Sequence, residues 1–168
     1  QKAETREAII DSAMKLLRAR GIEASSVQDV MKGAGLTVGG FYGHFASKED
    51  LFASTIRERA ARAWDALLGS AQRIEDVTRR YVSRAHRDQP ESGCLLPATA
   101  ADASRPGGAS YRDALAEEVA HFVETLEAMG LSRAEALKQL ALMHGAVSLA
   151  RALKGTPLSD ELLTAARR

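Results

Sequence analysis

A chain of 168 residues with net charge +1 is long enough to bury a sizeable core, either as one compact domain or as a small domain continuous with a larger one. Ala, Leu, Arg and Glu dominate, aromatic residues make up only 5%, and β-branched residues never gather into alternating runs, which excludes a sheet-based architecture and predicts an all-α protein. Among residues 1–50 seven Lys/Arg offset seven Asp/Glu, so bulk charge excludes a strongly basic arm.

The first predicted helix runs from about Lys2 to Arg20, where Ile9, Ile10, Ala13, Leu16 and Leu17 recur at three-and-four spacing, and Gly21 ends it. Ser25 and Ser26 offer an N-cap for a second helix, with Gln28 in capping-box position to Ser25 and an apolar stripe of Val27, Val30, Met31 and Ala34 that stops at Gly35. Leu36 packs inward, Thr37 caps a third helix with Phe41 and Phe45 on its buried side, and Ser47 with Asp50 opens a long fourth helix from Lys48 to Leu68. A helix from Ile74 to Arg87 follows, then a Pro/Gly break over Gln89 to Gly93, a short helix from Cys94 to Ala103, and a loop from Ser104 to Ser110. From Tyr111 to Met129 the residues Leu115, Val119, Phe122, Leu126 and Met129 form a seam at alternating four-and-three spacing. Ser132 and Glu135 make a second capping box before a largely apolar helix from Arg133 to about Lys154, and Ser159 caps a last helix ending at Arg168.

Two short helices joined by Gly35, Leu36 and Thr37 have the geometry of a helix-turn-helix, although an ordinary helical hairpin satisfies the same spacing. From Lys32 to Lys48 there is no acidic residue, the condition a phosphate-facing surface needs. An enzyme finds little support: the histidines at 44, 86, 121 and 144 lack metal-ligand spacing, no Gly-rich phosphate loop exists, and no nucleophile sits in a recognisable motif, so no metal or cofactor is expected. The single Cys94 excludes an intrachain disulfide. No apolar run approaches the roughly 18 residues of a spanning helix and no signal-peptide pattern is present, so the chain reads as cytoplasmic, trimmed at its amino end and without a membrane partner.

The segment Ser26 to Leu51, SVQDVMKGAGLTVGGFYGHFASKEDL, closely resembles the signature of the TetR family of repressors, matching it at Ser26, Asp29, Val30, Ala34, Gly35, Thr37, Gly39, Phe41, Tyr42, His44, Phe45, Ser47, Lys48, Glu49 and Leu51. It departs at Met31, where the family usually has alanine, and at Gly40 and Gly43, where larger residues are common. The resemblance implies a three-helix DNA-binding domain over 1–47 and a helical-bundle regulatory and dimerisation domain over 48–168. It further implies a recognition helix from Thr37 to His44 in the major groove, phosphate contacts by Ser26, Tyr42 and Lys48, and a nucleoid-associated protein. Base contacts would fall to Thr37, Val38, Gly39 and Gly40, which lack the side-chain forks that discriminate bases best, so shape and thymine methyl groups carry more of the readout. Each glycine costs about 1 kcal/mol of helix propensity, which points either to a steric need or to tolerance in a short helix. His44 has two roles open to it, a phosphate donor or a cap on a helix carbonyl; Arg6 and Lys2 are either further phosphate ligands or a solvated terminus.

For the second half, the resemblance implies a homodimer on a palindromic double-stranded operator, built from the two long carboxy-terminal helices, with Leu115, Val119, Phe122, Leu126, Leu140 and Val147 at the interface. A small-molecule effector would lie among the central helices, near Trp64, Tyr81, Cys94, Phe122, Met143 and His144, each of which is equally readable as core. His86, within the charged run Arg84 to Asp88, reads as surface. Cys94 stands before a short helix whose dipole would lower a thiol pKa, which keeps a redox- or electrophile-sensing repressor as an alternative, beside a helical interaction module without DNA binding.

Overall fold

The computed structural model describes residues 1–168 and contains helices only: α1 (Lys2–Arg20), α2 (Val27–Gly33), a 3-10 helix (Val38–Gly43), α3 (Lys48–Leu68), α4 (Ile74–Tyr81), α5 (Arg84–Asp88), a 3-10 turn (Pro90–Ser92), α6 (Leu96–Ala103), α7 (Ala109–Ala128), α8 (Arg133–Ala152) and α9 (Pro157–Ala165). Two apolar cores result. The first joins Ile9, Ile10, Ala13 and Leu17 of α1 to Val30, Phe41, Phe45 and the first half of α3. The second gathers Trp64 and Leu68 from the end of α3 with Val77, Tyr81, Phe122, Leu126, Met143 and Val147. Helix α3 therefore threads both cores, and its carboxyl-terminal half belongs to the second.

Several local features differ from the expectation, each for a physical reason. The α2 capping box is built by Ser26 and Asp29, one residue beyond the Ser25/Gln28 pair: Asp29 N–H donates to Ser26 Oγ at 3.1 Å and its carboxylate accepts the Ser26 N–H at 3.2 Å. Ser25 instead turns inward and donates to the Gly21 carbonyl at 2.7 Å. The expected helix from Ile74 to Arg87 is two helices. Val82 leaves helical geometry (φ −86°, ψ 63°) and Ser83 recaps the chain by accepting the His86 N–H at 3.1 Å. The last helix is capped at Thr156 with Pro157 in its first turn, where a missing N–H costs nothing; Ser159 lies inside it, buried and donating to the Ala150 carbonyl at 2.7 Å.

The seam on α7 faces inward. Phe122 and Leu126 are fully buried, Leu115 and Val119 pack partly buried against the cores, and Leu140 and Val147 of α8 join the same interior. Within the single chain these six residues line the interior, whereas Leu142 and Leu149 on the outer face of α8 stand 48% and 53% exposed. A period that repeats every three or four residues identifies a buried stripe and does not tell a subunit core from an interface.

Candidate nucleic-acid interface

The amino-terminal helices are braced before any surface is offered. Arg59 on α3 is buried and its guanidinium grips Glu7 and Asp11 of α1. Arg6 makes a forked ion pair with Glu58, at 2.9 and 2.6 Å, and lies 5.2 Å from the centre of the Phe45 ring. Arg6 is thus a brace between α1 and α3, whereas Lys2 is exposed at the chain's start.

The turn after α2 closes as a Schellman motif. Gly35 takes φ +72°, its N–H donates to the Lys32 carbonyl at 3.1 Å, and the Leu36 N–H reaches back to Met31 at 2.9 Å. A side chain at Gly35 would be strained by the backbone alone. Leu36 then packs against the first core, which fixes the angle between α2 and the segment that follows.

That segment, Val38–Gly43, is 3-10 and not α-helical, with Thr37 at its N-cap position and no side-chain capping bond. Three glycines in six residues remove helix propensity, and the tighter turn leaves Phe41 as its buried anchor. Phe41 meets Tyr42 edge-on at 5.2 Å and Phe45 at 5.9 Å, which sets Tyr42 outward, 72% exposed, beside Val38 at 42%. A Cβ on Gly39 or Gly43 would meet nothing within 4 Å, and one on Gly40 would meet only Met31 Cε at 3.9 Å. Packing within the subunit therefore does not require these glycines. Met31 is buried, and its Cε lies at ordinary contact distance from where a Gly40 Cβ would stand.

The other phosphate candidates are placed as follows. Ser26 is exposed, but its hydroxyl is spent on Asp29, to which it donates at 2.7 Å, and Asp29 is paired with Arg20 at 2.6 Å. Those bonds hold the Asp29 carboxyl below the usual range, first through Ser26 and then through Arg20. Lys48 reaches the Glu23 carbonyl at 3.3 Å from a half-exposed position. His44 is half-buried, with Nδ1 enclosed and unpartnered, so its ring does not cap a helix carbonyl. Thr37, Val38, Gly39, Gly40, Tyr42, His44 and Lys48 consequently lie on or beside one short outward turn.

In the second half, Trp64 stacks on Phe122 at 4.1 Å and meets Tyr81 at 5.8 Å, with Met143 and Cys94 in the same buried cluster and His144 half-buried beside it. The structure brings Trp64, Tyr81, Cys94, Phe122 and Met143 together as packed core, with His144 outside that cluster. Cys94 is enclosed, accepting the Leu96 N–H at 3.3 Å with Glu118 Oε1 at 3.9 Å, and burial pushes its thiol well above the ordinary range; the single amide bond does not offset it. Burial outweighs the Arg151 charge, the Tyr81 hydroxyl and the helix start, all of which favour the thiolate. His86, expected at the surface, is buried: Nδ1 lies 2.7 Å from the Tyr81 carbonyl and Nε2 accepts the Cys94 N–H at 3.1 Å. That pattern suits the neutral ring, and burial lowers its pKa to about 4. The close approach depends on Gly93, where a Cβ would fall 2.4 Å from His86 Cδ2. Glu118, absent from the sequence candidates, is buried beneath this cluster with Oε2 unpartnered and a pKa raised by burial to about 8. Trp64 Nε1, Tyr81 OH and His144 Nδ1 are likewise buried without partners. No single-sequence signal separates Glu118 from the exposed Glu117 beside it.

Residues 9–55 match the family model described as bacterial regulatory proteins, tetR family. The HTH-type transcriptional regulator AcrR of Shigella flexneri is 43% identical over 49 residues, which cover 29% of this chain and 23% of that protein. The HTH-type transcriptional repressor KstR2 of Mycolicibacterium smegmatis is 33% identical over 77 residues, 46% of this chain and 36% of its own length. The chain thus matches only about a quarter to a third of these curated relatives. Solved structures share the whole fold: a TetR-family regulator from Cytophaga hutchinsonii superposes with TM-score 0.75 at 22% identity, covering 98% of this chain and 92% of that one. The reduced form of NemR from E. coli gives TM-score 0.71 at 21% identity, covering 96% and 95%. Over residues 9–55 the chain thus carries the amino-terminal segment of the tetR family of bacterial regulatory proteins, on an all-helical fold that it shares with solved TetR-family regulators.

Proposed function

We propose that the chain is a ligand-responsive repressor that binds a palindromic double-stranded DNA operator as a homodimer and is released by a small molecule. The observation that carries this reading is the outward Val38–Gly43 turn: Tyr42 stands exposed on a buried Phe41 anchor, with three glycines whose missing side chains leave room for close backbone approach. Tyr42, Lys48 and His44 grip phosphates, while Thr37, Val38, Gly39 and Gly40 face the bases; Ser26 serves mainly by holding α2 through its cap. The names of two similar proteins, the repressors KstR2 and BepR, support repression over activation.

Homodimerisation uses the outer face of α8 and α9, where Ala141, Leu142, Gly145, Leu149, Leu162 and Ala165 line an apolar groove of about 390 Å³. Small residues at 141, 145 and 165 let a second copy's helices approach closely, and one self-complementary patch generates the twofold axis that a palindrome requires. The effector enters the core around Trp64, Tyr81, Phe122, Met143 and His144, where the unpartnered Trp64 Nε1, Tyr81 OH and Glu118 Oε2 await hydrogen-bonding groups that packing alone does not supply. Release is assigned to a small molecule and not to Cys94 oxidation, because a buried, protonated thiol is a poor nucleophile.

Gel-shift titrations of the intergenic DNA beside the gene test the reading. Tyr42→Ala and Lys48→Ala are each expected to weaken binding by about 1–2 kcal/mol, near-uniformly across sequences, as charge-assisted positioning contacts do. Unchanged affinity in both variants would remove the proposed docking.

A further inference from the structure

A cleft of about 550 Å³ lies away from the Trp64 cluster, between the end of α1, the Pro90 turn, α6 and α8. Four arginines reach it: Arg18 and Arg20 from α1, Arg105 beyond α6, and Arg151 from α8. Two of them are neutralised. Arg20 pairs with Asp29 at 2.6 Å and Arg105 with Asp102 at 3.2 Å.

Arg18 and Arg151 are not. Each is half-buried and forms no ion pair; Arg18 donates once, to the Glu91 carbonyl at 2.9 Å, and Arg151 once, to the His86 carbonyl at 2.6 Å. A guanidinium carries five N–H donors, so most of each fork is unspent on the protein, and the Nε of both is enclosed without an acceptor. The hydroxyl of Ser148, one turn before Arg151 on the same helix and also lining the cleft, is buried without a partner. The acids on the wall do not supply the missing charge. Asp102 is occupied by the Ile22 N–H at 2.6 Å and by Arg105, Glu23 points an exposed side chain from the α1–α2 turn, and Glu91 attracts Arg151 only from beyond ion-pair distance. Burial works against the charge of both arginines, which carry it with no counterion from the chain.

We propose that this cleft binds the oxyanion group of a small metabolite, a phosphate or a carboxylate, between the Arg18 and Arg151 guanidiniums with Ser148 as a third donor. Planar forks match such groups in two-point contact, and an anion held there ties α1 of the DNA-binding segment directly to α8. This site is separate from the Trp64 core and does not depend on the DNA-binding reading.

Isothermal titration of the DNA-free full chain at constant ionic strength, with inorganic phosphate in one arm and succinate in the other, tests it. The expected result is saturable binding of one anion per subunit in at least one arm; phosphate alone identifies a phosphate ligand, and succinate alone a carboxylate. Arg151→Gln and Arg18→Gln are each expected to weaken that binding about tenfold or more, Ser148→Ala several-fold, while the exposed Arg73→Gln leaves it unchanged. Circular dichroism verifies folding of each variant, and Ser148→Ala, the smallest change, keeps the test decisive if an arginine variant unfolds. Heat that fails to saturate in both arms, or equal affinity in the Arg18, Arg151 and Arg73 variants, would overturn the site.

Discussion

Glu118→Gln is expected to abolish a loss of stability that the natural protein shows between about pH 6.5 and pH 8. Burial raises the Glu118 carboxyl from 4.5 to about 8, so the folded protein keeps a proton that the unfolded chain has already released. Its contribution is full below pH 4.5 and is drawn down as pH rises through 8, by about 1.4 kcal/mol per unit. His86 has the opposite sign. Burial lowers it from 6.5 to about 4, so the unfolded chain takes up a proton that the folded protein refuses, and stability rises from pH 4 to 6.5. Across about pH 4.5 to 6.5 the two slopes oppose each other, with His144, also lowered by burial, adding to the histidine side. Above 6.5 the opposing contribution of His86 and His144 levels off as the unfolded chain loses its remaining imidazolium protons, and the Glu118 contribution falls by about 2 kcal/mol by pH 8. Urea denaturation followed by circular dichroism at half-unit steps, at constant ionic strength, reads this directly. The gap between Glu118→Gln and the natural protein should widen by that amount across the window. A gap that stays constant from pH 6.5 to 8 would refute a buried, protonated Glu118.

Ser26→Ala removes the hydroxyl half of the α2 capping box, leaving the residue-26 N–H on the Asp29 carboxylate, and is expected to cost about 1 kcal/mol in a urea melt, with DNA affinity falling no further than the loss of folded protein explains. Leu149→Glu combined with Leu142→Glu places carboxylates on the apolar α8 face; sedimentation equilibrium should then show monomers with native helicity, and a persistent dimer would move the interface elsewhere. Cys94 in the native protein should react with an aromatic disulfide reagent near neutral pH only as fast as the protein opens, and immediately in urea; rapid native reaction would restore the thiol-sensing alternative.

The parts of the fold that were legible in sequence are those fixed by local rules. Lys2–Arg20 and Lys48–Leu68 are bounded as the apolar period and the Gly21 and Ser47 signals require, and the Ser132/Glu135 box starts α8 where it should. The misplaced features turn on competing contacts that periodicity does not rank: Ser25 bonds the Gly21 carbonyl and leaves the α2 cap to Ser26. The apolar pattern carries no stop signal at Val82; the break is held by the Ser83 cap on the His86 N–H and by the His86 ring, which reaches back to the Tyr81 carbonyl and is held there by the Cys94 amide. The same contact inverts the reading of His86, whose charged neighbours suggest solvent. Arg18 and Arg151 are 133 positions apart in the chain and meet only in the folded cleft. Periodicity also did not determine what α7 packs against, since a subunit core and a partner helix reward the same spacing.

The two halves are coupled by more than a shared helix. Leu95, Ala103, Tyr111 and Ala114, from α6, its approach and α7, belong to the same apolar core as Ile9 and Phe41 of the DNA-binding segment. Across that junction the buried Ile22 N–H donates to Asp102 Oδ2 at 2.6 Å, and Gly21, at φ +81°, leaves no room for a Cβ, which would fall 2.7 Å from the same oxygen. A displacement of α6 therefore has two outcomes: the end of α1 follows, or a buried amide loses its acceptor at a cost of about 1–3 kcal/mol. Close-packed interiors favour the first, because a void opened between α6 and α1 forfeits contacts on both sides. Since α1 is bolted to α3 through Arg59 and Arg6, the movement is passed to the Val38–Gly43 turn as a change of angle and not as local melting. On the proposed reading, a ligand acting on α6 or α8 would act by changing the spacing of the two Val38–Gly43 turns of a dimer, leaving each turn's own geometry intact.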